Sequence, residues 1–172
     1  HYSDLGFMLL GYLIERVSGS PVDQFLESEL FDPLGLSSTG FAARNALGQP
    51  VAATSQGNPF ERRMVEDPGV GYLINEDPTS LTAWRNYTLI GEVNDGNSYY
   101  AHEGVAGHAG LFSTASELNV LVSLLLAGGS FNGNQLISDD VISEFLTPDF
   151  TGNGLGWAMS TNVLPVDNMP VG

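Results

Sequence analysis

The sequence predicts a mainly α-helical fold with long irregular loops and little sheet. Three observations lead there. Apolar residues recur at helical spacing near 4–17, 21–30, 115–127 and 139–146. Capping residues precede those stretches at Ser3, Ser20, Thr114 and Ser138. Between Gly35 and Gly110 the chain is punctuated by Pro50, Pro59, Pro68, Pro78 and many glycines, with no sustained period.

In the first stretch Ser3 is the expected N-cap, with Asp4 in the first turn, where the helix dipole favours an acid. Leu5, Met8, Leu9, Tyr12 and Leu13 form one apolar face, and Phe7, Leu10 and Ile14 make the other side apolar too. A helix apolar nearly all round is expected to be central and packed on several sides. Gly19 is its C′ residue. Ser20-Pro21-Val22-Asp23 restarts a helix, Ser20 capping and Pro21 first, and it should stop at Asp32-Pro33. From Gly35 to Gly110 a mostly irregular region is expected, and loops of that length inside a domain are often functional. Thr114-Ala115-Ser116-Glu117 reads as a capping box, Gly128-Gly129 as a helix stop and Asn132-Gly133 as a tight turn. Ser138 caps a short helix, and Gly154 to Met159 reads as a strand.

Composition narrows the function. A chain of 172 residues fits one domain with a real core, and 42% hydrophobic residues is ordinary for a globular protein. Five basic residues, all arginine, against twenty acids give a net charge of −15. Nucleic acid and anionic membrane need a basic face, so both are poor partners. There is no cysteine, which removes disulfides and thiolate-bound metal. The apolar run Val120–Ala127 is far short of the roughly 20 residues that span a bilayer. His102, Glu103 and His108 match no tight metal-ligand spacing, so no metal and no cofactor are expected. Asn94-Asp95-Gly96-Asn97 lacks the terminal Glu of a calcium loop and reads as a turn.

Tyr2-Ser3-Asp4 at the mouth of an apolar helix, continued by Gly6, Gly11, Glu15 and Gly19, resembles the Tyr-Ser-Asn/Asp motif of the serine β-lactamase, penicillin-binding protein and esterase superfamily. Asp32-Pro33-Leu34-Gly35-Leu36 with Thr39, Gly91-Glu92-Val93-Asn94-Asp95, Gly107-His108-Ala109-Gly110-Leu111 with Ser113-Thr114-Ala115, and Gly154-Leu155-Gly156-Trp157 are similar to later motifs of that superfamily, in its order. The resemblance implies that residues 1–172 are the helical part of a β-lactamase/transpeptidase-like α+β domain. The Ser-x-x-Lys nucleophile motif is then expected before His1, and the final His/Lys-Thr/Ser-Gly strand just after Gly172. It also implies a small-molecule ester or amide substrate, the remainder of its own hydrolase domain as a partner, and a bacterial periplasmic or extracellular setting. A face left uncovered by that remainder would favour self-association.

In this superfamily a serine attacks the carbonyl, and the resemblance makes Tyr2 the catalytic acid/base. A phenol near pKa 10 must fall by about three units, roughly 4 kcal/mol, to act at neutral pH. A helix N-terminus supplies about 0.3–1 kcal/mol of that. A neighbouring cation must supply most of the rest, and this chain has no lysine. Ser3 reads as a cap rather than a nucleophile. Asp4 is either a substrate-placing group or only a dipole-favoured acid. Gly107 and His108 are implied as substrate or catalytic support, the glycine through close approach or positive φ and the histidine through bonds to backbone. Tyr72, Trp84, Tyr87, Tyr99 and Tyr100 either line an acyl pocket or form a small core for the long loop. The competing reading is a non-catalytic binding or sensor domain on the same scaffold.

Overall fold

The computed structural model describes residues 3–41, 50–71, 77, 80–149 and 154–157. Among these the chain is mainly helical, with two small two-stranded antiparallel sheets. It divides into two compact units, 1–117 and 118–172.

In the first unit α1 runs Asp4–Ser18. Ser3 Oγ accepts the Gly6 N–H at 3.3 Å, and Gly19 at φ 73° closes the helix by donating to the Glu15 carbonyl. Helix α2 (Val22–Leu26) follows without the expected Ser20 cap. Pro21 is its N-cap residue, and Glu15 Oε1 reaches across to accept the Val22 N–H at 3.1 Å. The helix does not stop at Asp32-Pro33. It widens into a π-helical turn over Glu27–Phe31, where Asp32 donates five residues back, and continues as α3 (Asp32–Leu34) to Gly35 at φ 70°. The wide turn places Pro33 in a first-turn position, where its missing N–H costs no bond.

Among its described residues, the stretch expected to be irregular holds four elements. Strand β1 (Ala53–Gln56) pairs with β2 (Thr88–Ile90) across a bulge. Helix α4 (Pro59–Glu66) starts at Asn58, whose Oδ1 accepts the Glu61 N–H at 3.2 Å, with proline at its head. Helix α5 (Gly96–His102) starts at Asp95, whose Oδ1 accepts the Ser98 N–H at 2.7 Å. Apolar side chains are buried at Val22, Phe31, Leu34 and Leu36 in the first helices, and at Leu89, Val93 and Ala106 around the sheet and α5.

Helix α1 departs most from expectation. Only Gly11 is buried, while Leu5, Leu9, Leu10, Tyr12, Leu13 and Val17 are all more than half exposed. Its all-round apolarity is therefore not matched by packing among the described residues.

Helix α6 (Ala115–Leu126) begins where Thr114 Oγ1 accepts the Glu117 N–H at 3.2 Å, the N-terminal half of the expected capping box. The Glu117 carboxylate turns instead to the 38–39 segment. Both oxygens accept the Ser38 N–H at 3.0 Å, and Oε2 accepts the buried Thr39 hydroxyl at 2.6 Å. In the second unit, glycines 128 and 129 at φ 62° and 81° end α6. Strands β3 (Ser130–Phe131) and β4 (Asn134–Gln135) flank an Asn132-Gly133 turn with both φ positive, as the dipeptide predicts. Ser138 caps α7 (Asp139–Leu146). Residues 154–157 form a turn closed by reciprocal Gly154–Trp157 bonds rather than the first part of the expected strand, whose last two residues, 158 and 159, lie outside the described ones. Two glycines in four residues favour that reversal over extension. No described helix is long and apolar enough to cross a membrane.

Candidate active-site cleft

The first unit contains a cleft of about 1350 Å³. One wall is α4, with Phe60, Glu61, Met64 and Val65. Another is the run Val93–Asn97, which leads into α5. Asp4, at the head of α1, and the segment Ala109–Thr114 complete the part that concerns the predicted residues.

The run 93–97 is fixed by a buried arginine. Arg85 Nη1 and Nη2 donate to the carbonyls of Val93 and Asn94 at 2.5 and 2.6 Å, and the guanidinium lies 4.1 Å from the Tyr99 ring centroid. A planar fork of donors suits two successive carbonyls better than an ammonium would. Asn94 adds side-chain bonds. Its Oδ1 accepts from Asn58 Nδ2 at 2.8 Å and its Nδ2 donates to Ser55 Oγ at 2.5 Å. One asparagine thus ties β1 and the cap of α4 to the cleft wall. Gly57 permits this closeness, since a Cβ there would stand 2.1 Å from the Arg85 carbonyl oxygen.

Gly107 and His108 form a two-residue turn, closed by reciprocal Ala106–Ala109 backbone bonds of 3.2 and 3.3 Å. At Gly107 the need is space rather than φ. A Cβ would come within 2.1 Å of the Phe7 carbonyl oxygen and 3.2 Å of the Gly11 nitrogen. The turn therefore sits directly on α1, one to two turns past Asp4. Gly110 meets both demands, with φ 119° and a Cβ position 2.0 Å from the Gly104 carbonyl oxygen.

His108 does not bond backbone, as the sequence suggested. Its Nε2 lies 2.9 Å from Asp95 Oδ1, and its side chain is 1% exposed. The carboxylate that binds the ring is the one that caps α5, so Asp95 links the turn on α1 to the cleft wall. Nδ1 of His108 is buried without a hydrogen-bond partner among the described residues.

Glu61 faces the same corner from α4. Its carboxylate accepts the Gly96 N–H at the start of α5. Burial pushes its pKa up and nearby Asp95 adds to that, opposed by the Gly96 bond and by Arg85. Tyr87 donates to Glu92 Oε2 at 2.8 Å, a bond that raises the pKa of the phenol, so it is no candidate base.

Of the predicted site residues, Asp4 lines the cleft, while Gly107 and His108 do not line it but are joined to it through α1 and Asp95. Tyr2 lies outside the described residues. Among the loop aromatics, Trp84 and Tyr100 line the cleft, Tyr99 supports Arg85, Tyr87 binds Glu92, and Tyr72 is outside the described residues. His102 stands apart from His108, its Nδ1 3.3 Å from the Tyr12 hydroxyl. Among the described residues no group of three metal-ligating side chains converges. Sequence reasoning missed Asp95, Glu61, Arg85 and Asn58. The signals were local, Asn58-Pro59 and Asp95-Gly96 as helix starts, but their long-range partners could not be read from spacing.

Comparison with known proteins places the chain in a family. The family model "Beta-lactamase" matches residues 1–166. The Escherichia coli (strain K12) protein named "Putative D-alanyl-D-alanine carboxypeptidase" is 33% identical over 165 residues, which cover 94% of this chain and 35% of that protein. A protein of the same name from Salmonella paratyphi B is 31% identical over the same share of each. The chain thus spans about a third of the length of these relatives. Among solved structures, the octameric penicillin-binding protein homologue from Pyrococcus abyssi superposes with a TM-score of 0.51 at 15% identity, over 86% of this chain and 25% of that one, a likeness of fold. The chain belongs to the β-lactamase family, within the superfamily of serine β-lactamases and penicillin-binding proteins.

Proposed function

We propose that this chain is part of a serine hydrolase that cleaves ester or amide bonds, β-lactam or D-alanyl peptide bonds among them, through an acyl-enzyme. Tyr2 is the acid/base that relays the proton of the serine and of the leaving group. Asp4 helps to place the substrate, and Gly107 and His108 brace the helix that Asp4 opens. One observation carries the reading. Asp4 opens onto a cleft, and the Gly107-His108 turn packs against the same helix just behind it. The name of the curated relatives supports the amide branch. The nucleophile and the late Thr/Ser-Gly strand belong to the remainder of the hydrolase domain, which covers the exposed apolar face of α1. Without that cover the same face drives self-association.

The reaction needs a nucleophile, a base poised near neutral pH and donors aimed at the oxyanion. Such groups act as a unit and do not keep additive shares of the rate. Residues 1–172 alone should therefore not turn over a chromogenic ester or cephalosporin. A longer protein that includes Ser-x-x-Lys and the late strand should do so. There, Tyr2→Phe should lower kcat by about 10²–10⁴. An unaffected Tyr2→Phe would place the chemistry on another residue. A long protein that binds a penicillin yet never turns over would favour the sensor reading.

A further inference from the structure

The cleft is larger and more apolar than an acetyl-sized acyl group requires. Its 1350 Å³ exceeds the roughly 300–1,000 Å³ of sites that enclose drug-sized ligands. Phe60 and Met64 of α4 line it together with Trp84, Tyr100, Leu111 and Phe112. Phe60, Tyr100 and Leu111 are exposed at 62%, 48% and 45%. Large apolar side chains exposed singly need no explanation, but several that open onto one concavity mark a binding surface. The hydroxyl of Tyr100 is already spent on the Ala83 carbonyl at 2.8 Å, which leaves its ring as the part offered to the cleft.

Charge limits what can enter. Among the described residues the acids Asp4, Glu61, Glu92 and Asp95 line the cleft, with no Lys, Arg or His beside them. The nearby guanidinium of Arg85 is committed to two carbonyls. An acyl group that carried a carboxylate deep in the cleft would meet repulsion from these acids.

We infer that the cleft receives the acyl side of the substrate and selects a bulky, apolar, uncharged acyl group, with Phe60, Trp84 and Tyr100 as specificity-determining residues. This rests on the hydrolase reading above and deepens it. Extra methylenes should be rewarded because each one enters an apolar cleft rather than water.

The test uses the full-length protein and p-nitrophenyl esters: acetate, butyrate, octanoate and hemisuccinate, the last matching butyrate in length but anionic. We expect kcat/KM to rise at least about tenfold from acetate to octanoate, a modest demand on a pocket that discriminates by methylenes. Hemisuccinate should fall below butyrate. Phe60→Ala and Trp84→Ala should each flatten the octanoate/acetate ratio through KM, whereas Leu126→Ala, exposed and in the other unit, should leave that ratio as it was. A flat gradient in the parent protein, or a hemisuccinate preference, would overturn the inference while the hydrolase reading stood. Absence of turnover with every ester would defeat the hydrolase reading instead. In that case titration with octanamide decides for the cleft. A saturable shift in tryptophan emission that disappears in Trp84→Phe supports an apolar site, and no shift overturns it. Circular dichroism of each variant separates loss of fold from loss of selectivity.

Discussion

Glu61 is the residue at which the cleft's charge acts on stability. Burial raises the pKa of this acid above its usual 4.5, and Asp95 acts in the same direction. A raised folded-state pKa means that the folded protein holds the proton more tightly than the unfolded chain. The resulting stability is complete below the unfolded pKa and is lost as pH rises through the folded one. Replacing Glu61 by Gln removes the ionisation but keeps an oxygen for the Gly96 N–H. Relative to the parent, Glu61→Gln should therefore become progressively more stable as pH rises from about 4 to 7, the window starting near the unfolded Glu value. Urea unfolding at both pH values checks this, and a difference that shrinks with pH would show the bond to Gly96 outweighing burial.

The helices differ in how far their own sequences specify them. Ser3, Thr114 and Ser138 start helices, and Gly19 and Gly128 stop them, because each acts through bonds within a few residues. Those elements were legible from the chain alone. Helices α4 and α5, at eight and seven residues, are too short to stand on propensity. They depend on Asn58 reaching Asn94 and on Glu61 reaching Gly96, contacts 36 and 35 residues apart in sequence. The same limit hid the partner of His108, since nothing near it in sequence points to Asp95. In α1 the sequence is apolar all round, but burial depends on what packs against it. Leu9 is 59% exposed, so the cost of about 2–5 kcal/mol for a buried large-to-small change does not apply. Leu9→Ala in residues 1–172 should alter stability by about 0.5 kcal/mol or less, as at other surface sites. Its effect should fall on association. Sedimentation should show oligomers of the parent at high concentration and a shift toward monomer in a Leu9→Glu variant. A monomeric parent would mean that the exposed face finds no partner in its own copies.

At the scale of the whole molecule, the net charge of −15 sets the response to salt. Two of the five arginines, Arg62 and Arg63, sit in i, i+4 pairs with Glu66 at 2.8 Å and Asp67 at 3.8 Å, and all four side chains are largely exposed. Pairs of that kind are worth about 0.3–0.5 kcal/mol each, so weakening them with salt removes little. Arg85 is buried and bonded to carbonyls, where mobile ions screen less. The opposing effect, repulsion among twenty acids, acts through solvent and is the part that ions screen best. The Debye length falls from about 30 Å at 0.01 M to about 8 Å at 0.15 M, which confines that repulsion to near neighbours. Repulsion should dominate over the loss of weak pairs such as these two. The melting temperature at pH 7 should rise by a few degrees between 0.01 and 0.15 M NaCl, since about 1 kcal/mol shifts a domain of this size by roughly 2–4 °C. Salt also promotes contact between exposed apolar faces. The measurement therefore belongs on the Leu9→Glu variant at low concentration, where association through α1 is suppressed. A melting temperature there that stays flat or falls would mean that the acids are spaced too widely to repel, and that the two surface pairs matter more than their exposure implies.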